Sequence, residues 1–445
     1  MAYHDPVGRA DSPMNNEDRN HPDVNLNLNV RGLQKSPTLA INERCRAMRA
    51  EGRHIYRLGL GQSPFPVPES VVEKLRTNAH EKDYLPVKGL PALREAIAGY
   101  YQRRQGIERS HEDILVGPGS KELMFILQLV YYGDLVIPTP SWVTYAPQAH
   151  IIGRHIRLVP TTAEEGWPLQ PAELDAVCRS DPDRPRLVIL NYPSNPTGQT
   201  YRVDALRELA EVARRYRVIL LSDEIYGEID HRGEHVSIAR FYPEGTIISA
   251  GLSKWCGAGG WRLGTFTFPS SLRWLLDSMA AVCSESFTAT SAPIQYAAVR
   301  AFQGGIDLEK YLFHSRRILR ALGGAVATRL REAGIFVPMP EGGFYVFPDF
   351  GSRAGILSDR GITTSADLCE RALEDTGVAS LPGEAFGREP QELTARIAYV
   401  DFDGARALVA SRAVPDDQEL DDVFLRRYCE PVLEGMDRLC EWLGC

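Results

Sequence analysis

Gly251-Leu252-Ser253-Lys254-Trp255-Cys256-Gly257-Ala258-Gly259-Gly260-Trp261-Arg262-Leu263-Gly264 sets one lysine among small residues and two tryptophans, in a setting poor in charge. A lysine kept for solubility usually sits among other polar residues. One that attacks a carbonyl must give up its proton, and apolar surroundings favour the neutral amine. A lysine joined to an aldehyde cofactor leaves the cofactor's phosphate to a nearby permanent cation, and Arg262 is placed to be that cation. For a lone lysine the plainer reading, a glycine-rich turn with an incidental amine, is preferable. Residues elsewhere in the chain reverse the preference.

Upstream and downstream of this stretch, apolar runs alternate with helical spacing. The runs are Ile114-Leu115-Val116, Leu135-Val136-Ile137, Leu187-Val188-Ile189-Leu190, Val218-Ile219-Leu220-Leu221, Thr246-Ile247-Ile248 and Thr265-Phe266-Thr267-Phe268. Continuous apolar strands separated by helices, near Pro171–Cys178 and Val203–Tyr216 among others, imply a largely parallel sheet covered on both faces. Ligands of such sheets bind beyond the carboxyl ends of the strands. There the chain places Trp142 after Ile137, Asn195 after Leu190, Asp223 and Tyr226 after Leu221, and Lys254 after Ile248. Each has a dull reading as turn, helix start or core residue. An indole, an amide, a carboxylate, a phenol and an amine on one predicted edge are hard to dismiss as chance. Gly117-Pro118-Gly119-Ser120-Lys121 breaks the first run before an apolar helix, so free amides at a helix N-terminus form a phosphate site. The spacing is neither that of a Walker loop nor of a dinucleotide fold.

The remaining chain frames this α/β unit. Helical spacing from Ser36 or Thr38 to Gly52 leads into a short apolar strand, Ile55 to Leu60, that ends in a Gly/Pro-rich loop with Gly61. A long helix is expected from about Leu308 to Ala333. Short strands at Gly343–Phe347, Val378–Leu381 and Thr394–Val400, with a helix at Ala366–Thr376, read as a smaller α+β lobe. Arg396 lies in the last of these strands, where solvent exposure is its plain reading. Asp416–Cys445 reads as a charged amphipathic surface helix. Asn25-Leu26-Asn27-Leu28-Asn29 is the only alternation in a polar start, and at most a weak strand. The expected organisation is a mobile N-terminal arm (1–35), an N-terminal part of the small domain (36–70), a large cofactor-binding domain (71–320) and a C-terminal small domain (321–445).

Composition narrows the function classes. At 445 residues the chain can bury a large core. A net charge of −8 argues against general nucleic-acid affinity. No long uncharged apolar run suggests a membrane span, and the start lacks a signal-peptide pattern. Eight scattered cysteines without a Cys-x-x-Cys pair argue against a metal cage or disulfide framework and fit a reducing cytoplasm.

Together, the lysine stretch Gly251–Gly264, Asn195-Pro196-Thr197-Gly198, Asp223-Glu224-Ile225-Tyr226, Gly343-Phe344-Tyr345, Pro382–Gly387 and the Arg396 strand resemble the signatures of the class I/II pyridoxal-phosphate-dependent aminotransferases. The resemblance runs from about Ser36 to Tyr399. It implies fold type I: a large domain with a mostly parallel sheet between helices, plus the smaller α+β domain. It implies pyridoxal 5′-phosphate as cofactor and Lys254 as its Schiff-base lysine and proton shuttle. Asp223 resembles the partner of the pyridinium nitrogen, and Asn195 and Tyr226 the donors to the phenolate oxygen. Trp142 is similar to the ring that covers the cofactor face. Gly119, Ser120, Lys121, Arg262 and Ser253 resemble the phosphate cup. Tyr84 is similar to the tyrosine that reaches the phosphate from a neighbouring subunit, which implies a homodimer with shared sites. Arg396 resembles the fork for the substrate α-carboxylate, helped by Gly61 and Asn195.

The implied reaction exchanges an amino group between an L-amino acid and a 2-oxo acid by a ping-pong route. The same scaffold serves lyases and cyclising synthases. An effector-sensing regulator is a poorer reading, because the segment before Ser36 is too short and polar for a DNA-binding module. A dead homologue is at odds with Lys254, Asp223 and Arg396. The chain departs from the family pattern at Gly251, where many relatives carry a phosphate-binding serine, at the loop Gly61-Gln62-Ser63-Pro64-Phe65, and in a long tail beyond Asp401. The amino donor is left open. Arg31, Lys35, Lys88 and Arg300 are candidate cations for a second substrate carboxylate.

Overall fold

The computed structural model describes residues 25–33 and 35–444. Most of the expected arm, residues 1–24, lies outside them. Seven strands form the main sheet: β1 (Ile114–Gly117), β2 (Asp134–Thr139), β3 (Ile156–Pro160), β4 (Arg186–Asn191), β5 (Ile219–Asp223), β6 (Thr246–Gly251) and β7 (Gly264–Thr267). Their order is β1-β7-β6-β5-β4-β2-β3. All neighbours are parallel except β7, which runs antiparallel to both β1 and β6. Alternate residues of each strand enter different cores. Leu187, Ile189, Ile219 and Leu221 pack with Leu123, Ile126 and Phe266 on one face. Val188, Leu190 and Leu220 pack with Leu206, Leu209 and Ala213 on the other. This two-sided burial is why the strands read as unbroken apolar runs.

Six of the seven strands match the sequence expectation. β3 was not expected. It lies at the sheet edge with Arg157 and Leu158 exposed, so it lacks a continuous apolar run.

A second sheet, antiparallel, has the order β8-β10-β9, from β8 (Tyr345–Val346), β9 (Leu381–Pro382) and β10 (Ala395–Ala398). The helix Ile306–Glu332 and the helices Ser365–Thr376 and Glu430–Trp442 pack around it. The expected strand Ile55–Leu60 is instead a single parallel bridge, Tyr56 to Val378. The Ala379 amide donates to the Tyr56 carbonyl at 3.0 Å, and the Ala398 amide to that of Leu58 at 2.7 Å. The same bridge takes Val378 and Ala379 out of the ladder, which leaves β9 shorter than its apolar run. Asn25–Asn29 holds no strand. Residues Leu28–Val30 form a 3₁₀ turn, with the Asn27 side chain accepting from the Asn29 amide at 3.0 Å, a local bond that competes with strand pairing. The stretch expected as one surface helix from Asp416 holds two, Asp422–Tyr428 and Glu430–Trp442. The second is less superficial than expected, burying Val432, Leu433, Met436 and Leu439.

The Arg317 guanidinium holds the insertion beyond Asp401, together with the Arg320–Glu419 ion pair (2.8 Å) and the His314–Ser411 hydrogen bond (3.0 Å). Arg317 donates to the carbonyls of Ser411 (3.3 Å), Val414 (3.0 Å) and Pro415 (2.6 Å), and to that of Gln418. Bonds to a charged donor are stronger than neutral ones, and here a single guanidinium serves four carbonyls. Arg317→Ala is expected to lower stability by about 2 kcal/mol and the melting temperature by a few degrees. An unchanged thermal melt would show that the loop holds without this staple. Among the described residues no helix is long and apolar enough to cross a membrane.

Candidate active site

The carboxyl ends of β2, β4, β5 and β6 bring the expected residues together. Register accounts for much of it. Asn191 on β4 pairs with Asp223 on β5, which pairs with Ser249 on β6. Asp223 is 3 % exposed. Its carboxylate accepts from the Tyr145 hydroxyl at 2.5 Å and from the Ser249 hydroxyl at 3.2 Å. Among the described residues no cation pairs with it. Burial therefore dominates, and it pushes the carboxyl up to about 6 against the bonds from Tyr145 and Ser249.

That shift makes a stability prediction. The folded pKa lies above the unfolded one, so ionisation is penalised in the folded state. The penalty is absent below the unfolded value near 3.8 and fully developed above about 6. Cofactor-free Asp223→Asn is therefore expected to gain about 2–3 kcal/mol over wild type at pH 7.5, with the gap shrinking toward pH 4. Denaturant unfolding at both pH values checks this; a gap that stays constant with pH contradicts it.

Lys254 lies in the turn after β6. Its Nζ donates to the Gly61 carbonyl at 2.7 Å and stands 5.5 Å from the Tyr226 ring centre and 5.6 Å from that of Phe344. The Tyr226 hydroxyl is 2.9 Å from that of Tyr345. Burial, and after it Tyr345, holds Tyr226 well above the usual phenol range, so it stays protonated and able to donate.

Arg396 corrects its plain reading. It is 1 % exposed, not solvent-facing. Nη1 donates to Asn195 Oδ1 at 3.1 Å and Nη2 to the Gly59 carbonyl. The guanidinium lies over the rings of Tyr345 (4.8 Å) and Phe386 (5.2 Å). Among the described residues no carboxylate pairs with it, and its buried Nε has no partner. The Asn195 amide N–H donates to Asn191 Oδ1 at 2.8 Å, and Asn191 Nδ2 to the Asp223 carbonyl at 2.9 Å. Contacts thus run unbroken from Lys254 through Tyr226, Tyr345, Arg396 and Asn195 to Asp223.

A second group faces the same space. Gly119 precedes the helix Ser120–Val130 with φ +98°, and a Cβ there would lie 2.2 Å from Arg262 Nη2. Arg262 is itself left-handed, φ +56°, a strained setting for a side chain that bears Cβ. Lys121 Nζ lies 5.1 Å from the Trp142 ring centre. Burial first, then the charges of Arg262 and Lys254, lower its pKa, so the three cations share one field. Trp142 packs edge-on to Tyr145 at 5.4 Å. Ser253 is half-buried beside Lys254. The Gly251 departure has a steric cause, because a Cβ there would stand 2.7 Å from the Leu263 carbonyl just before β7. Tyr84 is 90 % exposed and takes part in none of these contacts.

Sequence reasoning gave no role to Tyr145, Ser249, Asn191 or Tyr345. Ser249 and Asn191 follow from register, which no single run reveals. Tyr145 stands three residues after Trp142, and Tyr345 lies within a quoted motif.

A mostly parallel sheet that gathers an amine and a buried carboxylate at one edge, with a buried guanidinium from the smaller sheet bonded to Asn195 and lacking a carboxylate among the described residues, defines a fold-type-I enzyme acting on amino acids. Residues 53–409 match the family described as aminotransferase class I and II, and the chain belongs to that family. It is similar to a probable aspartate/prephenate aminotransferase of Rhizobium leguminosarum bv. phaseoli, 32 % identical over 80 % of this chain and 90 % of the relative. An aspartate aminotransferase of Rhizobium meliloti is 34 % identical, covering 81 % of this chain and 89 % of its own. Among solved structures, the Thermus thermophilus aspartate aminotransferase with maleate superposes with a TM-score of 0.78 at 28 % identity, covering 87 % of this chain and 98 % of that one. A crystal structure of an aspartate aminotransferase from Rhizobium meliloti gives 0.78 at 30 %, covering 94 % of this chain and 100 % of that one.

Proposed function

We propose that this aminotransferase binds pyridoxal 5′-phosphate at the edge described and moves the amino group of a dicarboxylic L-amino acid to a 2-oxo acid by a ping-pong route. The donor set fits that cofactor. Arg262 and the amides of Ser120 and Lys121 at the helix N-terminus suit the phosphate, with the Ser253 hydroxyl as a further donor, whereas the Gly119 amide is already bonded to the Gly117 carbonyl at 2.7 Å. The cation-free buried carboxylate of Asp223 suits a protonated ring nitrogen. When bound, the cofactor supplies an electrophilic carbonyl and a ring that takes up the charge left at the substrate Cα.

The protein does the rest. Lys254 Nζ provides the amine that engages the carbonyl, and later moves the Cα proton. Asp223 holds the proton on the ring nitrogen. Tyr226 Oη and Asn195 Nδ2 donate to the phenolate oxygen, the Asn195 Oδ1 being committed to Arg396. Trp142 covers the ring face. Arg396 grips the α-carboxylate, with Gly61 alongside. The single observation that carries this reading is Arg396: a buried guanidinium without a carboxylate, with an unpartnered Nε, requires an anion to complete it.

The dicarboxylic donor rests on the names of the relatives and on charge. Lys35 is committed to Glu43 (3.0 Å), Lys88 to Asp277 (2.7 Å) and Arg300 to Asp307 (2.6 Å), and Arg31 is exposed. Lys121, over Trp142 and in the field of Lys254, is the better cation for a second carboxylate. The exposure of Tyr84 supports a homodimer in which Tyr84 of a second copy completes the phosphate site. The two sheets support a large lobe over 71–320, and the Tyr56–Val378 bridge supports joining 36–70 to 321–445 as the small one. Six buried cysteines without disulfide partners favour a cytoplasmic enzyme. Initial rates with aspartate and 2-oxoglutarate test the proposal. Parallel reciprocal plots support it. Activity confined to neutral or aromatic donors removes the dicarboxylic assignment, and product release without a 2-oxo acid favours a lyase.

A further inference from the structure

We propose that Tyr345 is a positioning residue serving both halves of the site: its ring braces Arg396 for the substrate carboxylate, and its hydroxyl orients Tyr226 toward the cofactor oxygen. The inference rests on the proposed cofactor site.

Three contacts meet on this one side chain. The Arg396 guanidinium lies over its ring at 4.8 Å. Its hydroxyl is 2.9 Å from that of Tyr226. The same hydroxyl is seated against Gly61, where a Cβ would fall 1.9 Å from it, and the Gly61 carbonyl is the one that Lys254 Nζ contacts. Tyr345 is 1 % exposed and sits at the start of β8, paired with Ala398 of β10 two residues beyond Arg396. Both side chains are therefore anchored in one ladder, which fixes their stacking.

The two contacts act differently. A guanidinium over an aromatic face is held flat with its N–H fork directed outward, and loss of the face frees it to rotate. In the hydroxyl pair, Tyr345 donating to Tyr226 leaves the Tyr226 proton for another acceptor and strengthens that donation. Without it, Tyr226 donates less well to the cofactor oxygen. More negative charge stays there, and the bound cofactor's near-visible band should titrate at higher pH. The charged or titratable groups facing this pair are Arg396, Asp223, Lys254 and Tyr399, none of which the test variants alter.

Tyr345→Phe keeps the ring and removes the hydroxyl; Tyr345→Leu removes both. In holoenzyme, Tyr345→Phe is expected to raise the pKa of the band by about half to one unit, with KM for the best donor within about threefold of wild type. Tyr345→Leu is expected to show the same spectral shift and a KM raised about 5- to 30-fold. A Tyr345→Phe band that titrates as in wild type overturns the role of the hydroxyl. A folded Tyr345→Leu with wild-type KM overturns the brace. If Tyr345→Leu does not fold, Tyr345→Trp replaces it: a KM near wild type there supports the brace, and a KM raised as far as that expected for the leucine variant contradicts it. Wild type lacking the band altogether refutes the cofactor site rather than Tyr345.

Discussion

Lys254→Ala loses transamination by about 10⁴-fold or more, while the protein folds and melts near wild type. The lysine stands in a turn after β6, half-buried, and among the described residues it hydrogen-bonds to the Gly61 carbonyl. Gly61 and Lys254 are both only half-buried, so the loss of this one bond is expected to change stability little. The chemistry has no substitute. Lys121 is the nearest other amine in the shared field, but it is held over Trp142. Steady-state rates of purified Lys254→Ala, with and without a small added amine, check this. A variant retaining more than about a hundredth of wild-type turnover would move the reacting amine elsewhere.

The second large effect belongs to Arg396. Arg396→Ala is expected to lower kcat/KM by about 30- to 1000-fold for every α-carboxylate donor, the loss of a buried charge-assisted pair. The cofactor's colour should persist, because Arg396 touches Asn195, Gly59, Tyr345 and Phe386 and not the Arg262 cluster. Arg396→Lys should recover little, since an ammonium cannot fork. Unchanged kinetics in the alanine variant would take Arg396 out of the substrate site.

What the sequence made legible follows the physics of each element. β1, β2, β4, β5, β6 and β7 are buried on both faces, so their apolar runs announce them. β3 is an edge strand with polar interruptions and does not. The residues after the strands were readable because a parallel sheet puts its ligands there. Lys254, Asp223, Asn195, Tyr226 and Trp142 could therefore be named without coordinates. Arg396 was readable only through the resemblance, since an arginine in an alternating strand has no signature of burial. Ser249, Asn191 and Tyr145 were beyond reach, because their importance comes from cross-strand register and from one helical turn packed on Asp223. The shortening of β9 has a similar origin: its first residues pair with Tyr56, more than 300 positions earlier, and no local pattern encodes that choice.

The most direct test of the transaminase assignment is the near-visible absorbance of wild-type protein loaded with pyridoxal phosphate, titrated with aspartate in the absence of any 2-oxo acid. The expected result is a lysine-dependent band that bleaches in a single stoichiometric step, then stays bleached until 2-oxoglutarate restores it. A band that persists while ammonia or a keto acid accumulates would contradict transamination, and a band that survives in Lys254→Ala would contradict the lysine at the centre of the site.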